Sequence, residues 1–360
     1  MENKKRRELL PDVLRGFAIL LVVLGHCIQE GSGESYSAET LYFYDKVYQF
    51  IYSFHMPLFM LVSGYLSWNS MKDAQTKQDR WKLLKRRAGA LLIPIFLWTL
   101  VDFIRTILLH AMNGMEQPQN LLFVYCYNAL NNLWFLWAVF WCFLIVYVMH
   151  YFCRDSIILY IVGFLVMFVI PDGLGLGAYK YMAPFFLIAF YGHGWLEKHG
   201  DKGFVQPKLW WIILCGVCFG GLFVFFDENS MIYLTGYKLI GKDVVIQLGI
   251  DLYRTVIGLV GSMFFVLLWQ YIVNTLCGGK ENVGLRVLAL LGRKSMGIYI
   301  LSGYLVILGV RKLPFITEPS YGLHILEMII VTAAALGGTL VLERMPFLRR
   351  MVGQYNVKIS

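Results

Sequence analysis

Residues 11–26 read Pro11-Asp12-Val13-Leu14-Arg15-Gly16-Phe17-Ala18-Ile19-Leu20-Leu21-Val22-Val23-Leu24-Gly25-His26. Proline suits the first position of a helix, where its missing N–H sacrifices no hydrogen bond, and an acidic residue suits the positive helix start. Arg15 follows Asp12 by three residues, so the two share a face and can pair. The ten residues between Arg15 and His26 carry no charge. A segment of this kind over 12–29 approaches the roughly 20 apolar residues that cross about 30 Å of hydrocarbon. The preceding MENKKRRELL is basic, and no small-residue cleavage site follows cleanly. This predicts a retained first helix rather than a signal peptide.

Nine further segments resemble the first: 44–67, 88–109, 133–152, 156–171, 179–196, 208–226, 248–273, 291–310 and 324–342. The 360 residues are 58% hydrophobic and only 15% charged, with a mean hydropathy of +0.60. A soluble fold of this length could not hide so much apolar surface, whereas lipid tails solvate it directly. Inside a bilayer each segment must satisfy its own backbone, which selects helices over strands. The stretch from Asn120 to Asn132 reads as a polar-faced approach to the fourth span. No stretch reads as a soluble domain, and there is no internal repeat. The expected fold is therefore all-α, a single integral membrane domain over 1–360 with about ten transmembrane helices.

The net charge of +9 raises the question of nucleic acid, but the basic residues sit between apolar runs. With ten spans, 24 of the 32 Lys and Arg residues fall on the side of the N-terminus and 5 on the opposite side. That asymmetry predicts an N-in, C-in orientation by the positive-inside rule. It also makes the lipid bilayer, rather than nucleic acid, the partner of the basic residues.

Ionisable groups within spans are expensive and mark candidate functional sites. His26 lies eleven positions after Arg15, about 16 Å of rise, and eleven steps of about 100° return almost to the starting face. Arg15 and His26 are thus expected to look onto the same neighbour or cavity. His55 lies in the second span within Ser53-Phe54-His55-Met56-Pro57-Leu58-Phe59, where Pro57 loosens the helix. Two imidazoles at similar depth on sequence-adjacent helices form a plausible buried pair, and imidazole titrates where a general base for a hydroxyl must. A satisfied structural pair is the alternative.

Arg80-Trp81-Lys82-Leu83-Leu84-Lys85-Arg86-Arg87 precedes the third span. Lys82, Lys85, Arg86 and Arg87 could hold a phosphorylated donor, though topology and anionic lipid also explain such a cluster. Asp102 with Arg105, His193, and Asp251 with Arg254 read as structural pairings between or within helices. Cys215 and Cys218 lack a second ligand pair, and Ser63-Gly64 reads as a small packing pair. No metal site is expected. P-loop, HExxH and GxSxG motifs are absent.

The run from Asp12 to His26, with a basic residue, a ten-residue gap and a histidine, resembles the opening signature of the acyltransferase family 3 integral membrane proteins. The closest likeness is to the branch similar to fucose 4-O-acetylase. Phe54-His55-Met56-Pro57-Leu58-Phe59 followed by Leu61-Val62-Ser63-Gly64-Tyr65 resembles that family's second-span motif. Leu91-Leu92-Ile93-Pro94, Leu133-Trp134-Phe135-Leu136 and Leu291-Gly292-Arg293-Lys294-Ser295-Met296-Gly297-Ile298-Tyr299 match less specific later motifs. The resemblance implies a ten-helix fold that moves an acyl group, usually acetyl, from cytoplasmic acyl-CoA to a hydroxyl of a carbohydrate or glycan. It implies acetyl-CoA as donor and no tightly bound cofactor. His26 is then the essential histidine, as general base or transient acyl carrier. Arg15 supports donor placement, and His55 is a second catalytic or orienting group.

Two departures stand out. The family's pair of arginines three apart before the third-span proline is absent, and Lys82, Lys85, Arg86 and Arg87 stand in its neighbourhood. The family's histidine after Gly-Ile-Tyr-x-Leu is Ser302 here. The expected location is a bacterial plasma or inner membrane, and several acceptors remain open: exopolysaccharide, lipid-linked sugar, peptidoglycan or a small metabolite. The rival readings are a transporter or flippase for a glycan or lipid-linked precursor, and a non-catalytic partner in an envelope-polymer complex. Transporters often carry repeated halves with paired interrupted helices, which this chain lacks, and an inactive relative could lose His26, which this chain keeps.

Overall fold

A computed structural model describes residues 8–116, 119–170, 176–199, 207–237, 239, 241–278, 280, 282–310 and 320–355. Lys4 to Arg7, Lys202, Lys238, Arg311, Lys312 and Lys358, which enter the orientation count, lie outside the described residues. The helices are α1 (Leu9–Gly31), α2 (Glu34–Ala38), α3 (Lys46–Lys72), α4 (Lys77–Met112), α5 (Leu121–Asn131), α6 (Trp134–Phe152) and α7 (Ile157–Val169). They continue with α8 (Leu176–Lys198), α9 (Leu209–Phe223), α10 (Ile232–Thr235), α11 (Val244–Tyr271), α12 (Val283–Arg293), α13 (Ser295–Leu308) and α14 (Tyr321–Arg344). The described residues contain no strand.

The protein is an all-α polytopic membrane protein. Six of its described helices are long and apolar enough to cross a membrane: α1, α3, α4, α6, α11 with the π turn Ile272–Leu276, and α14. The segments expected at 156–171, 179–196 and 208–226 fall on α7, α8 and α9. On α7, Ile157, Ile158 and Leu165 are 71%, 69% and 61% exposed. A run of large apolar side chains this open belongs against hydrocarbon, not water.

Three expectations need correction. The segment 291–310 is not one helix: α12 ends at Arg293 and α13 starts at Ser295. Lys294 sits at the break, where its ammonium pairs with Glu343 of α14. The third span is the inner part of a 36-residue α4, so the basic cluster is helical and not a loop. The Thr76 hydroxyl caps α4 by accepting from the Asp79 N–H at 3.1 Å, and its bond to the Asp79 carboxyl holds that group below the usual carboxylate range. The approach to the fourth span is helix α5, capped by Asn120.

α1 is the hub and packs against α3, α11, α12, α13 and α14. Glycine permits the closest approaches. A Cβ on Gly16 would stand 1.9 Å from the Leu288 carbonyl oxygen of α12, and one on Gly292 would stand 1.8 Å from that of Asp12. Gly64 plays the same part between α3 and α8, facing the Phe186 carbonyl at 2.2 Å from its would-be Cβ. Without a hydrophobic drive between helices in lipid, such backbone proximity is what packs them. His193 donates from Nδ1 to the Tyr65 carbonyl at 3.0 Å and bridges α8 to α3. The buried Arg254 pairs with Asp251 on its own helix and also bonds Thr235 Oγ1 at 3.1 Å and the Gly236 carbonyl, which ties α10 onto α11.

Candidate active site

A cavity of about 310 Å³ lies toward the Gly31 end of α1, the Lys46 end of α3 and the Met112 end of α4. Under the N-in reading this is the outer half of the protein. His26 of α1 and His55 of α3 both line it, as the sequence leads one to expect. Gly25 makes the meeting possible. A Cβ there would stand 2.8 Å from Cε2 of Tyr52, so only glycine lets α1 come this close to α3 at the level of the histidines.

His55 is 1% exposed. Its Nδ1 lies 2.7 Å from the Ile51 carbonyl one turn back. A carbonyl only accepts, so Nδ1 carries the proton and the neutral ring keeps a lone pair on Nε2. The Tyr52 ring meets the imidazole edge-on at 4.6 Å and itself stacks on Tyr48 at 4.0 Å. Both rings therefore brace the imidazole. Pro57, one half-turn further, rests near Gly258 of α11, whose would-be Cβ lies 3.0 Å from the proline Cγ. His26 is half-buried and faces the same cavity as His55.

Arg15 does not join them. It does not line the cavity, which corrects the expectation that it and His26 share one neighbour. Its guanidinium pairs with Asp12 at 2.9 Å, and Arg293 Nη1 lies 3.8 Å from the other oxygen of that buried carboxylate. Arg15 instead lies in the electrostatic neighbourhood of Arg87. The helical face that α1 offers twists and tilts against α3, α12 and α14, so equal phase does not mean equal neighbours over 16 Å of rise.

Arg15 thus belongs with the basic cluster at the N-terminal rim. There Lys85 and Arg86 are exposed and Lys82 and Arg87 are partly buried. Lys85 Nζ sits 4.9 Å over the Trp81 ring. The Arg87 guanidinium lies 5.6 Å from the Phe143 ring centroid, with Nη2 at 3.4 Å from the Ser70 hydroxyl.

Asp102 and Arg105, expected to be structural, line the cavity with the histidines. Arg105 Nη2 and Nε donate to Asp102 Oδ1 at 2.7 and 3.0 Å. The rest of the lining mixes aliphatic side chains with Asn132 and five aromatic ones, Tyr52, Trp134, Tyr233, Tyr299 and Tyr304. Sequence reasoning missed these six. Tyr52 had a signal, since it precedes His55 by three and so shares its face. Tyr233 had none, because α10 reaches the cavity through tertiary contacts with α8, with Tyr52 and Trp134, and with Arg254. Ser302 is fully buried, donates to the Tyr299 carbonyl at 3.2 Å, and does not line the cavity. Among the described residues no group of three His, Cys, Asp or Glu is placed to hold a metal.

A second polar line was also missed. Ser32 Oγ and His324 Nε2 are 3.0 Å apart, and His324 Nδ1 is 2.9 Å from Glu327 Oε2. The order is that of a nucleophilic triad, but the Ser32 hydroxyl also lies 2.7 Å from the Ile28 carbonyl, which competes with His324 for its one proton, and a nucleophile must be open to its substrate. Ser32 and His324 are fully buried. The line clamps the end of α1 to α14.

Two curated relatives are similar in part. The nodulation protein NolL of Mesorhizobium japonicum is 29% identical over 186 residues, 51% of this chain and 47% of that protein. NolL of Sinorhizobium fredii is 28% identical over 219 residues, 59% of this chain and 57% of that protein. The chain thus spans about half the length of the curated relatives it matches. No solved structure matches it. The family model described as an acyltransferase domain, that of acyltransferase family 3, matches residues 10–344, which is nearly the whole chain and takes in both histidines, the basic rim and every helix that lines the cavity: the chain belongs to acyltransferase family 3.

Proposed function

We propose that the protein is an O-acyltransferase of a bacterial plasma or inner membrane, moving an acyl group from acyl-CoA at the inner surface to a hydroxyl of a carbohydrate or envelope glycan. Acetyl-CoA is the donor in this reading. The observation that carries it is the pair of imidazoles from adjacent helices on one cavity, with the His55 tautomer set by its bond to the Ile51 carbonyl.

The chemistry balances with these groups. His26, the more open of the two, accepts the proton of the acceptor hydroxyl at a ring nitrogen. The oxygen then attacks the thioester carbonyl carbon. The C–S bond breaks, the sulfur takes the proton back from the imidazolium, and an ester and free CoA thiol leave. His55 presents Nε2 as a hydrogen-bond acceptor that orients the hydroxyl. Removing a positioned base of this kind lowers the rate about 10²- to 10⁴-fold. The anionic CoA phosphates suit Lys82, Lys85, Arg86 and Arg87, with Arg15 beside them.

The test is acyl transfer from labelled acetyl-CoA to an envelope-glycan fraction by the purified full chain. His26→Ala, folded and expressed, should lose transfer by about 10² or more. Unchanged transfer removes the catalytic role. In cells, mass spectrometry of envelope glycans should show an acetyl increment that disappears with the protein.

A further inference from the structure

Among the described residues the cavity lining holds one charged pair besides the imidazoles, and both of its members come from α4. Asp102 and Arg105 side chains are 26% and 42% exposed, open enough to meet a ligand. Their contacts use one carboxylate oxygen, Oδ1, and the Nε and Nη2 nitrogens. Asp102 Oδ2 and Arg105 Nη1 are therefore not spent on each other. The pair offers an acceptor and a donor side by side, each charge-assisted.

That arrangement selects its ligand. The pair carries no net charge, so an anionic group drawn to Arg105 would also meet the Asp102 carboxylate. A neutral vicinal diol meets no such conflict: one hydroxyl oxygen accepts from Nη1 while the neighbouring O–H donates to Oδ2. Trp134, Tyr299 and Tyr304 line the same cavity. Aromatic faces cover the apolar C–H faces of a pyranose, and a few placed polar groups set its orientation.

The geometry points to Asp102 and Arg105 as the subsite that binds a vicinal diol of a pyranose acceptor, holding the sugar so that a different hydroxyl faces His26. This rests on the acyltransferase reading and adds to it which residues recognise the acceptor and by which chemical feature.

Binding can be measured without donor or turnover, which separates this claim from the acyl-transfer reading. Saturation-transfer NMR on the full chain in detergent micelles would use the methyl glycosides of fucose, galactose, glucose, mannose and N-acetylglucosamine. At least one should bind the wild type, and its analogue lacking one hydroxyl of the diol should bind about tenfold or more weakly, the loss of one charge-assisted hydrogen bond. Asp102→Asn and Arg105→Lys should each weaken binding to a similar extent. The swapped variant Asp102→Arg with Arg105→Asp keeps an ion pair but reverses donor and acceptor, so it should bind as poorly as the single variants. Wild-type affinity in the swap would make the pair merely structural and overturn the proposal, as would unchanged binding in the single variants or no binding by any glycoside. Intact glycoside binding with no acetyl transfer would count against the acyltransferase reading alone.

Discussion

Gly25 of α1 faces Tyr52 of α3 across a gap that leaves a would-be Cβ 2.8 Å from the tyrosine Cε2. The neighbours of these two residues in sequence and on the helix face are His26 and His55, so the contact sets how closely the imidazoles approach. Gly25→Val should push the helices apart. Overpacking of this kind typically costs about 1–3 kcal/mol, and thermal unfolding in detergent should register it. Acyl transfer should fall far more steeply than the folded fraction. Equal losses would mean that the spacing matters for stability alone.

His55→Asn separates the two nitrogens of the ring. The asparagine amide can still donate toward the Ile51 carbonyl, which His55 Nδ1 reaches at 2.7 Å, but it presents nothing in place of Nε2. The variant should fold with nearly native thermal stability and lose about 10²-fold or more in transfer rate. Recovery by added imidazole would support a missing ring nitrogen. Native rates would reduce His55 to a packing residue.

Replacing Lys82, Lys85, Arg86 and Arg87 together by Gln should raise the KM for acetyl-CoA and flatten its dependence on salt, because exposed charges act through screened Coulomb forces. The kcat should change little, since none of the four lines the histidine cavity. A KM and salt slope identical to those of the wild type would leave the cluster as a topology signal only.

Arg254 and Asp251 are 1% and 3% exposed, and Arg254 also holds Thr235 and Gly236. Removing one partner of a buried pair leaves an uncompensated charge and typically costs about 3–5 kcal/mol. Arg254→Met should therefore unfold at markedly lower temperature, and Arg254→Met with Asp251→Leu should regain much of the loss. Even so, the double variant should transfer acyl groups poorly, because α10 and Tyr233 lose this tether. Full activity in the double variant would show that α10 plays no part at the cavity.

His324→Ala should destabilise the protein by about 1–3 kcal/mol or more, the cost of stranding a buried polar partner. Among the described residues Glu327 Oε1 already has no hydrogen-bond partner, so losing its bond to His324 isolates the carboxyl further. A fluorophosphonate probe should leave Ser32 unlabelled, because the hydroxyl is fully buried. Labelling at Ser32 would turn the clamp into a nucleophile.

Much of the fold was legible because membrane physics acts on local sequence. Hydrocarbon thickness sets segment length, so nine of the ten predicted segments fall on single helices. The exception is instructive: 291–310 is apolar on average, yet Lys294 seeks Glu343 and breaks the run into α12 and α13. At the site, His26 and His55 stood out because an imidazole in a span is costly. Asp102 and Arg105 stood out for the same reason, but a pair three residues apart satisfies itself in sequence, which concealed that it also faces a cavity.

By itself the sequence determined the solvent, the helical class, the orientation signal and the two imidazoles, because each follows from composition or from spacing along one helix. Only the tertiary structure decided which of these groups meet. It put His26 with His55, Asp102 and five aromatic side chains, and sent Arg15 to the basic rim. The physical reason is that glycine contacts such as Gly16 with Leu288 and Gly25 with Tyr52 fix the crossing of each helix pair. That crossing depends on both partners at once, so no single helix encodes it.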